Sequence, residues 1–332
     1  MKPSSQGTFV GARSLKLFYQ SWYPKPTSTT PPEITRNGVS ATSNGAVPSP
    51  QAQAKAQASS TNQQTTIKGV LALVHGLGEH SGRYCNVVHA LTAAGYAVFA
   101  FDNQGHGKSE GQRGHINRWQ DYRDNTQTFL QLVRRQEPTV PLFVMGHSLG
   151  GLIVLDCVLR NSQTAAFKAL AISGLAISAP PIEPCGGTAN QIRIVLARLL
   201  SGIFPRLSLK MGLDECGLSR DQEVADKIAE DPLIHPYVTL RWGSETLKTI
   251  DWVKAHIEKL RLPILLTHGE ADPIIAPTGS QEIFQRIQTP NKTLTIYPGS
   301  YHEPHNDLDS KVVVADLVNW LNNRLETAAE VT

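Results

Sequence analysis

No stretch of this 332-residue chain approaches the ~18 consecutive apolar residues that a membrane-spanning helix needs. The N-terminus, Met1-Lys2-Pro3-Ser4-Ser5-Gln6, is polar and no apolar core of a signal sequence follows it. Basic tracts are also missing. Thirty-one Lys and Arg stand against 28 Asp and Glu, and the formal net charge of +3 is scattered along the chain, so nucleic acid is not an expected partner. The four cysteines, Cys85, Cys157, Cys185 and Cys216, share no C-x-x-C spacing, and no metal site or cofactor is expected. Cys157 falls in an apolar helical run and reads as a reduced, buried thiol. These absences leave a cytosolic protein, or one peripheral at a membrane surface, as the expectation.

What is present describes a folded enzyme-sized chain: 40% hydrophobic and 18% charged residues can bury a sizeable core. Residues 1–23 open with two strand-like runs, Thr8 to Val10 and Leu15 to Tyr19. Residues 24–66 are then rich in Ser, Thr, Pro, Gln, Asn and Ala, too polar to offset their ordering entropy, and are expected to be a disordered insertion. From residue 67 to 173 short apolar runs alternate with longer helical patterns, which predicts a parallel sheet covered by helices. The expected strands are Val70 to Val74, Ala97 to Phe101, Leu142 to Met145 and Ala169 to Ile172, with Ile264 to Thr267 and Leu294 to Tyr297 in the final segment 263–332. The intervening helices are predicted at Cys85 to Ala94, Gln120 to Gln136, Leu149 to Arg160, Thr278 to Ile287 and Lys311 to Leu325. Residues 174–262 break the rhythm with helix-like segments and no clear strand, and are expected to form a helical cap over a doubly wound, mostly parallel sheet. Ile192, Val195, Leu196, Leu199 and Ile203 recur at helical spacing there. Their face either packs within the protein or forms a lipid-facing lid.

The chemistry is carried by Phe143-Val144-Met145-Gly146-His147-Ser148-Leu149-Gly150-Gly151-Leu152, an apolar strand, a Gly-x-Ser-x-Gly turn and a helix. A tight strand-to-helix turn projects the Ser148 hydroxyl, and the flanking glycines leave room for it. Such a nucleophile needs a base and a carboxylate to orient that base, following in the order serine, acid, histidine. Thr267-His268-Gly269-Glu270-Ala271-Asp272 offers Asp272, with Glu270 as the alternative acid. Pro298-Gly299-Ser300-Tyr301-His302-Glu303 offers His302, with His305 as the alternative base. His268 and His75 read as structural. The backbone N–H of Leu149 and that of Leu77, in the glycine-rich turn after the first core strand, are the expected oxyanion donors.

Three blocks carry a resemblance: His75-Gly76-Leu77-Gly78-Glu79-His80-Ser81-Gly82-Arg83-Tyr84, Phe101-Asp102-Asn103-Gln104-Gly105-His106-Gly107-Lys108-Ser109-Glu110-Gly111, and the Ser148 turn. With Asp231-Pro232-Leu233-Ile234-His235 and His302-Glu303, they resemble the monoacylglycerol lipase and lysophospholipase branch of the α/β-hydrolase family, over nearly everything outside residues 24–66. Two positions depart from it: Leu149 stands where the family often has methionine, and Gln104 where it usually has arginine. The resemblance implies an α/β-hydrolase fold, a single-chain lipid ester as substrate, no cofactor, and Glu79 and Arg83 beside the alcohol part of that substrate. For Glu79 and Arg83 the alternative is a salt bridge that holds their loop. A short-chain esterase, a proline-preferring aminopeptidase and a non-enzymatic binding protein stay open on the same residues.

Overall fold

The computed structural model describes residues 1–25, 67–185, 200–210 and 217–329. Most of the expected insertion 24–66, the expected cap-helix residues Ile192, Val195, Leu196 and Leu199, and Cys216 lie outside the described residues.

An eight-stranded sheet organises the chain. Its strands are β1 (Ser5–Val10), β2 (Lys16–Trp22), β3 (Gly69–Val74), β4 (Tyr96–Phe101), β5 (Leu142–His147), β6 (Ile172–Ser178), β9 (Ile264–Gly269) and β10 (Lys292–Tyr297). They lie in the order β1-β2-β4-β3-β5-β6-β9-β10. β1 pairs antiparallel with β2, and β2 with β4; every later pairing is parallel. A parallel strand is covered on both faces, so it must be apolar on both. In β3 the two-residue period sends Val70, Ala72 and Val74 into one core and Leu71 and Leu73 into the other. β4 divides likewise, Ala97, Phe99 and Phe101 against Tyr96, Val98 and Ala100.

Helices α2 (Gln120–Gln136), α3 (Leu149–Asn161) and α6 (Leu240–His256) contribute to the first core, and α1 (Cys85–Ala93) and α8 (Ser310–Ala329) to the second. Each fully buried Leu, Val or Phe contributes about 1.5–3 kcal/mol, so the two clusters hold the sheet from both sides. The remaining α-helices among the described residues are α4 (Ala165–Lys168), α5 (Gln222–Glu230) and α7 (Pro277–Arg286). From β3 the chain moves to β4 on one side, then returns to β5 on the other. That reversal opens a crevice at the carboxyl ends of β3 and β5, where open α/β sheets bind ligands.

Three expectations fail in the region after α3. The strand expected at Ala169 to Ile172 instead begins at Ile172 and runs to Ser178, so sheet continues past the expected boundary at 173. Residues 169–171 close α4, with Ala171 in the left-handed region at φ 47°. The stretch expected to lack strands contains a small antiparallel pair, β7 (Ser208–Lys210) with β8 (Tyr237–Thr239). Nor is all of 174–262 a cap, because Trp242, Ile250 and Val253 of α6 belong to the main core.

Candidate active site

Ser148 stands between β5 and α3 with φ 49° and ψ −121°. A non-glycine residue held there costs on the order of 1–3 kcal/mol, and the surroundings enforce it. A side chain at Gly150 would collide with the carbonyl oxygens of Val74 and His75, and one at Gly146 with the backbone of Gly150. The helix therefore approaches the sheet so closely that only glycine fits. Its neighbours His147 and Leu149 are buried, whereas Ser148 stays partly exposed.

The Ser148 hydroxyl donates to His302 Nε2 at 2.9 Å, and His302 Nδ1–H donates to Asp272 Oδ2 at 2.7 Å. Asp272 and His302 come from the loops after β9 and β10, so three strand ends converge on the reacting oxygen. Oδ1 of Asp272 accepts the N–H groups of Ile274 and Ile275 at 2.9 and 3.0 Å. His268 adds a further donor: its Nδ1 accepts from Ser280, and its Nε2–H points to Asp272 Oδ2 at 3.0 Å and to the Ile275 carbonyl. Burial opposes the charge on Asp272, but the hydrogen bonds from His268 and His302 outweigh it and hold the carboxyl below the usual carboxylate range.

The alternatives are directed elsewhere. Glu270 is exposed and accepts the Gly299 N–H at 3.2 Å. His305 stacks on Tyr84, with ring centroids 4.9 Å apart, and neither ring nitrogen has a partner among the described residues. His75 is fully buried, donates from Nδ1 to the Gly76 carbonyl at 2.7 Å, and accepts the Asn103 N–H at Nε2. Burial pushes its pKa down to about 4, which keeps it neutral.

The loop after β3 brings Gly76, the residue before Leu77, beside Ser148: a Cβ added at Gly76 would lie 3.2 Å from Ser148 Cβ. Leu149 is the first residue of α3, so its N–H has no intrahelical acceptor. Glu79 fixes this loop: Oε1 accepts the Gly76 N–H at 2.6 Å and the Tyr84 hydroxyl at 2.7 Å. Oε2 accepts Arg83 Nη1 at 3.1 Å. Arg83 also grips Glu303 with both terminal nitrogens, at 2.6 and 2.8 Å. Both carboxylates are buried; burial raises Glu79, whereas Arg83 and Asn306 prevail over burial at Glu303 and hold it down at about 2.

Sequence reasoning did not foresee the Glu303 clamp or the His268 donor. Glu303 follows His302 directly, and a carboxylate in a buried loop requires a counter-ion, but the partner lies 220 positions away and no local pattern names it.

A parallel α/β sheet with a serine on a strained turn, its imidazole and a buried carboxylate define a serine hydrolase of the α/β-hydrolase fold. Residues 65–309 match the family described as serine aminopeptidase, S33. A monoacylglycerol lipase of Mycolicibacterium smegmatis is 30% identical over 262 residues, 79% of this chain and 90% of that protein. A monoglyceride lipase of Rattus norvegicus is 31% identical over 266 residues, 79% and 85% of the two chains. The crystal structure of the Paleococcus ferrophilus monoacylglycerol lipase superposes with a TM-score of 0.69 at 32% identity, covering 78% of this chain and 96% of that one. The chain belongs to this family of α/β hydrolases, together with these monoacylglycerol lipases.

Proposed function

We propose that the protein hydrolyses the carboxylic ester of a monoacylglycerol, or of a closely related single-chain lipid, through an acyl-enzyme on Ser148. The observation that carries this reading is the unbroken relay from Ser148 Oγ through His302 to Asp272, at 2.9 and 2.7 Å. Ser148 Oγ attacks the ester carbonyl carbon as its proton passes to His302 Nε2. Asp272, held ionised, keeps Nδ1–H directed away from the serine and stabilises the imidazolium. The oxyanion is received by the N–H groups of Leu77 and Leu149. His302 then protonates the departing alcohol, and a water activated by the same imidazole cleaves the acyl-enzyme.

Glu79 and Arg83 act on the alcohol side as supports of the oxyanion loop. Every oxygen of Glu79 is engaged inside the protein, and Arg83 is shared between two carboxylates. A peptidase that recognises a free α-amino group needs an uncompensated carboxylate. Glu79 and Glu303, the two acids that Arg83 reaches, are both compensated by it.

No helix among the described residues is long and apolar enough to cross a membrane. Contact with a lipid phase is instead peripheral, through the cap, where Ile203, Phe204, Leu207, Leu209 and Tyr237 are exposed. A fluorophosphonate probe tests the reading: it labels Ser148 of the native chain, and prior incubation with a long-chain monoacylglycerol slows the labelling. Labelling that survives Ser148→Ala contradicts it.

A further inference from the structure

A second concavity, separate from the crevice at Ser148, opens at the carboxyl edge of the sheet. It occupies about 290 Å³ between the β1–β2 turn, the loop after β4 and the segment leading into β7. Arg13 and Arg206 line it together with Gln104, Gln112, His115 and Asn117, and no carboxylate does so among the described residues. A recess near 300 Å³ is at the small end of ligand pockets.

The positive charge here is only partly balanced. Arg13 meets Asp121 through Nε at 2.8 Å, and its terminal nitrogens have no partner among the described residues. The same Asp121 accepts Arg118 Nε at 3.2 Å, so one buried carboxylate serves two guanidinium groups. Neither Arg206 nor Arg241 makes a side-chain hydrogen bond or ion pair among the described residues. His115 registers the excess: burial foremost lowers its pKa, and the charges of Arg206, Arg241 and Arg13 add to this against a hydrogen bond with Asn117 that raises it.

The recess is also rigid. Arg13 holds a left-handed backbone, φ 56°, in a turn pinned by the Ala12 N–H to Asn125 Oδ1 at 2.6 Å. Asn125 in turn donates to Gln104 Oε1 at 3.0 Å. Gln112 Nε2 donates to the Arg206 carbonyl at 3.0 Å and to Ser208 Oγ at 3.2 Å, which ties the core wall to the cap wall. Guanidinium donors match the geometry of phosphate oxygens, and the fixed backbone beneath Arg13 and Arg206 leaves only their exposed side chains to be ordered on binding.

Arg206 lies within the exposed apolar strip itself, between Phe204 and Leu207, which are 56% and 51% exposed. A cationic recess whose wall continues into exposed apolar side chains complements an anionic bilayer surface, where phosphates lie just above acyl chains. We propose that this cavity binds the phosphate of an anionic phospholipid headgroup while the strip from Ile203 to Leu209 enters the interfacial layer. The source of the phosphate rests on the peripheral contact proposed above, but not on the ester chemistry at Ser148.

The test uses the full chain and vesicles of ether-linked lipids, which offer no ester to cleave. Binding to ether-linked phosphatidylcholine vesicles is compared with binding to the same vesicles containing the ether-linked analogue of phosphatidylglycerol, with soluble glycerol 3-phosphate titrated separately. The control Lys168→Gln removes one exposed cation that precedes β6, at the opposite edge of the sheet. The proposal expects stronger binding to the anionic vesicles, an affinity about tenfold lower for Arg206→Gln, and a loss of no more than about twofold for Lys168→Gln. Equal losses for both variants would reduce the effect to general electrostatics and overturn the site. Tight binding of glycerol 3-phosphate without preference for anionic vesicles overturns the lipid source. Binding of neither ligand overturns the proposal altogether.

Discussion

Arg83 and Glu303 are joined by two hydrogen bonds, 2.6 and 2.8 Å long, that tie the loop bearing Leu77 to the loop bearing His302. The pair thus links the loop proposed to supply the Leu77 oxyanion donor to the loop of the proposed base. Removing one partner of a buried ion pair leaves the other unpaired and costs about 3–5 kcal/mol. Arg83→Met, which leaves Glu79 and Glu303 facing each other, is expected to lose stability on that order in urea denaturation. A loss below about 1 kcal/mol would show that the clamp does not hold the two loops.

Acid should weaken the fold in a defined order. His75 and His305 are lowered to about 4, chiefly by burial, from an ordinary value near 6.5, so the unfolded chain binds their protons first. The stability that comes from keeping them neutral is complete above about pH 6.5 and is lost as the pH falls toward 4. His106 and His147 are also lowered well below the ordinary value, chiefly by burial, and act in the same sense. Glu303, held at about 2, adds a loss between about pH 4.5 and 2 as its carboxylate is protonated. Glu79, raised by burial, opposes this trend alone against the four histidines. The urea midpoint is expected to fall between pH 7 and 5; a constant or rising midpoint contradicts the assignment of neutral buried histidines.

Two glycines separate a steric requirement from a propensity cost. Gly243 lies in α6 with nothing within 4 Å of an added methyl group, so Gly243→Ala should raise stability by about 0.5–1 kcal/mol. Gly150→Ala drives a methyl into the Val74 and His75 carbonyls and should cost at least about 3 kcal/mol. Thermal melts of the two variants decide this, and shifts in the same direction would refute the close helix–sheet approach at Ser148.

The sheet was legible where apolar period and punctuation agree. Gln120 to Gln136 was delimited to the residue because its apolar face recurs cleanly, and β5 was found because its run ends in the Gly-x-Ser-x-Gly turn. β6 was misplaced because Ser173 and Gly174 interrupt its apolar run. Gly174 is small because Trp320 of α8 packs against it, a contact that no local pattern announces. β7 and β8, three residues each, are too short for a two-residue alternation to register. At the site, the grouping of Ser148, Asp272 and His302, which the structure brings within hydrogen-bond reach, is legible because each directly follows or closely trails a strand. The clamp from Arg83 to Glu303 and the donor from His268 were not, since they arise only when separate loops meet.

The account turns on Ser148 being activated by His302 against a lipid ester. The most direct measurement is kcat/KM for release of fatty acid from a long-chain monoacylglycerol by the native chain, Ser148→Ala, His302→Ala and Glu270→Gln. The native chain should turn over, the Ser148 and His302 variants should fall by at least about 10⁴-fold, and Glu270→Gln should stay within about twofold. A native chain that releases no fatty acid, or a His302→Ala variant that retains its rate, would contradict it.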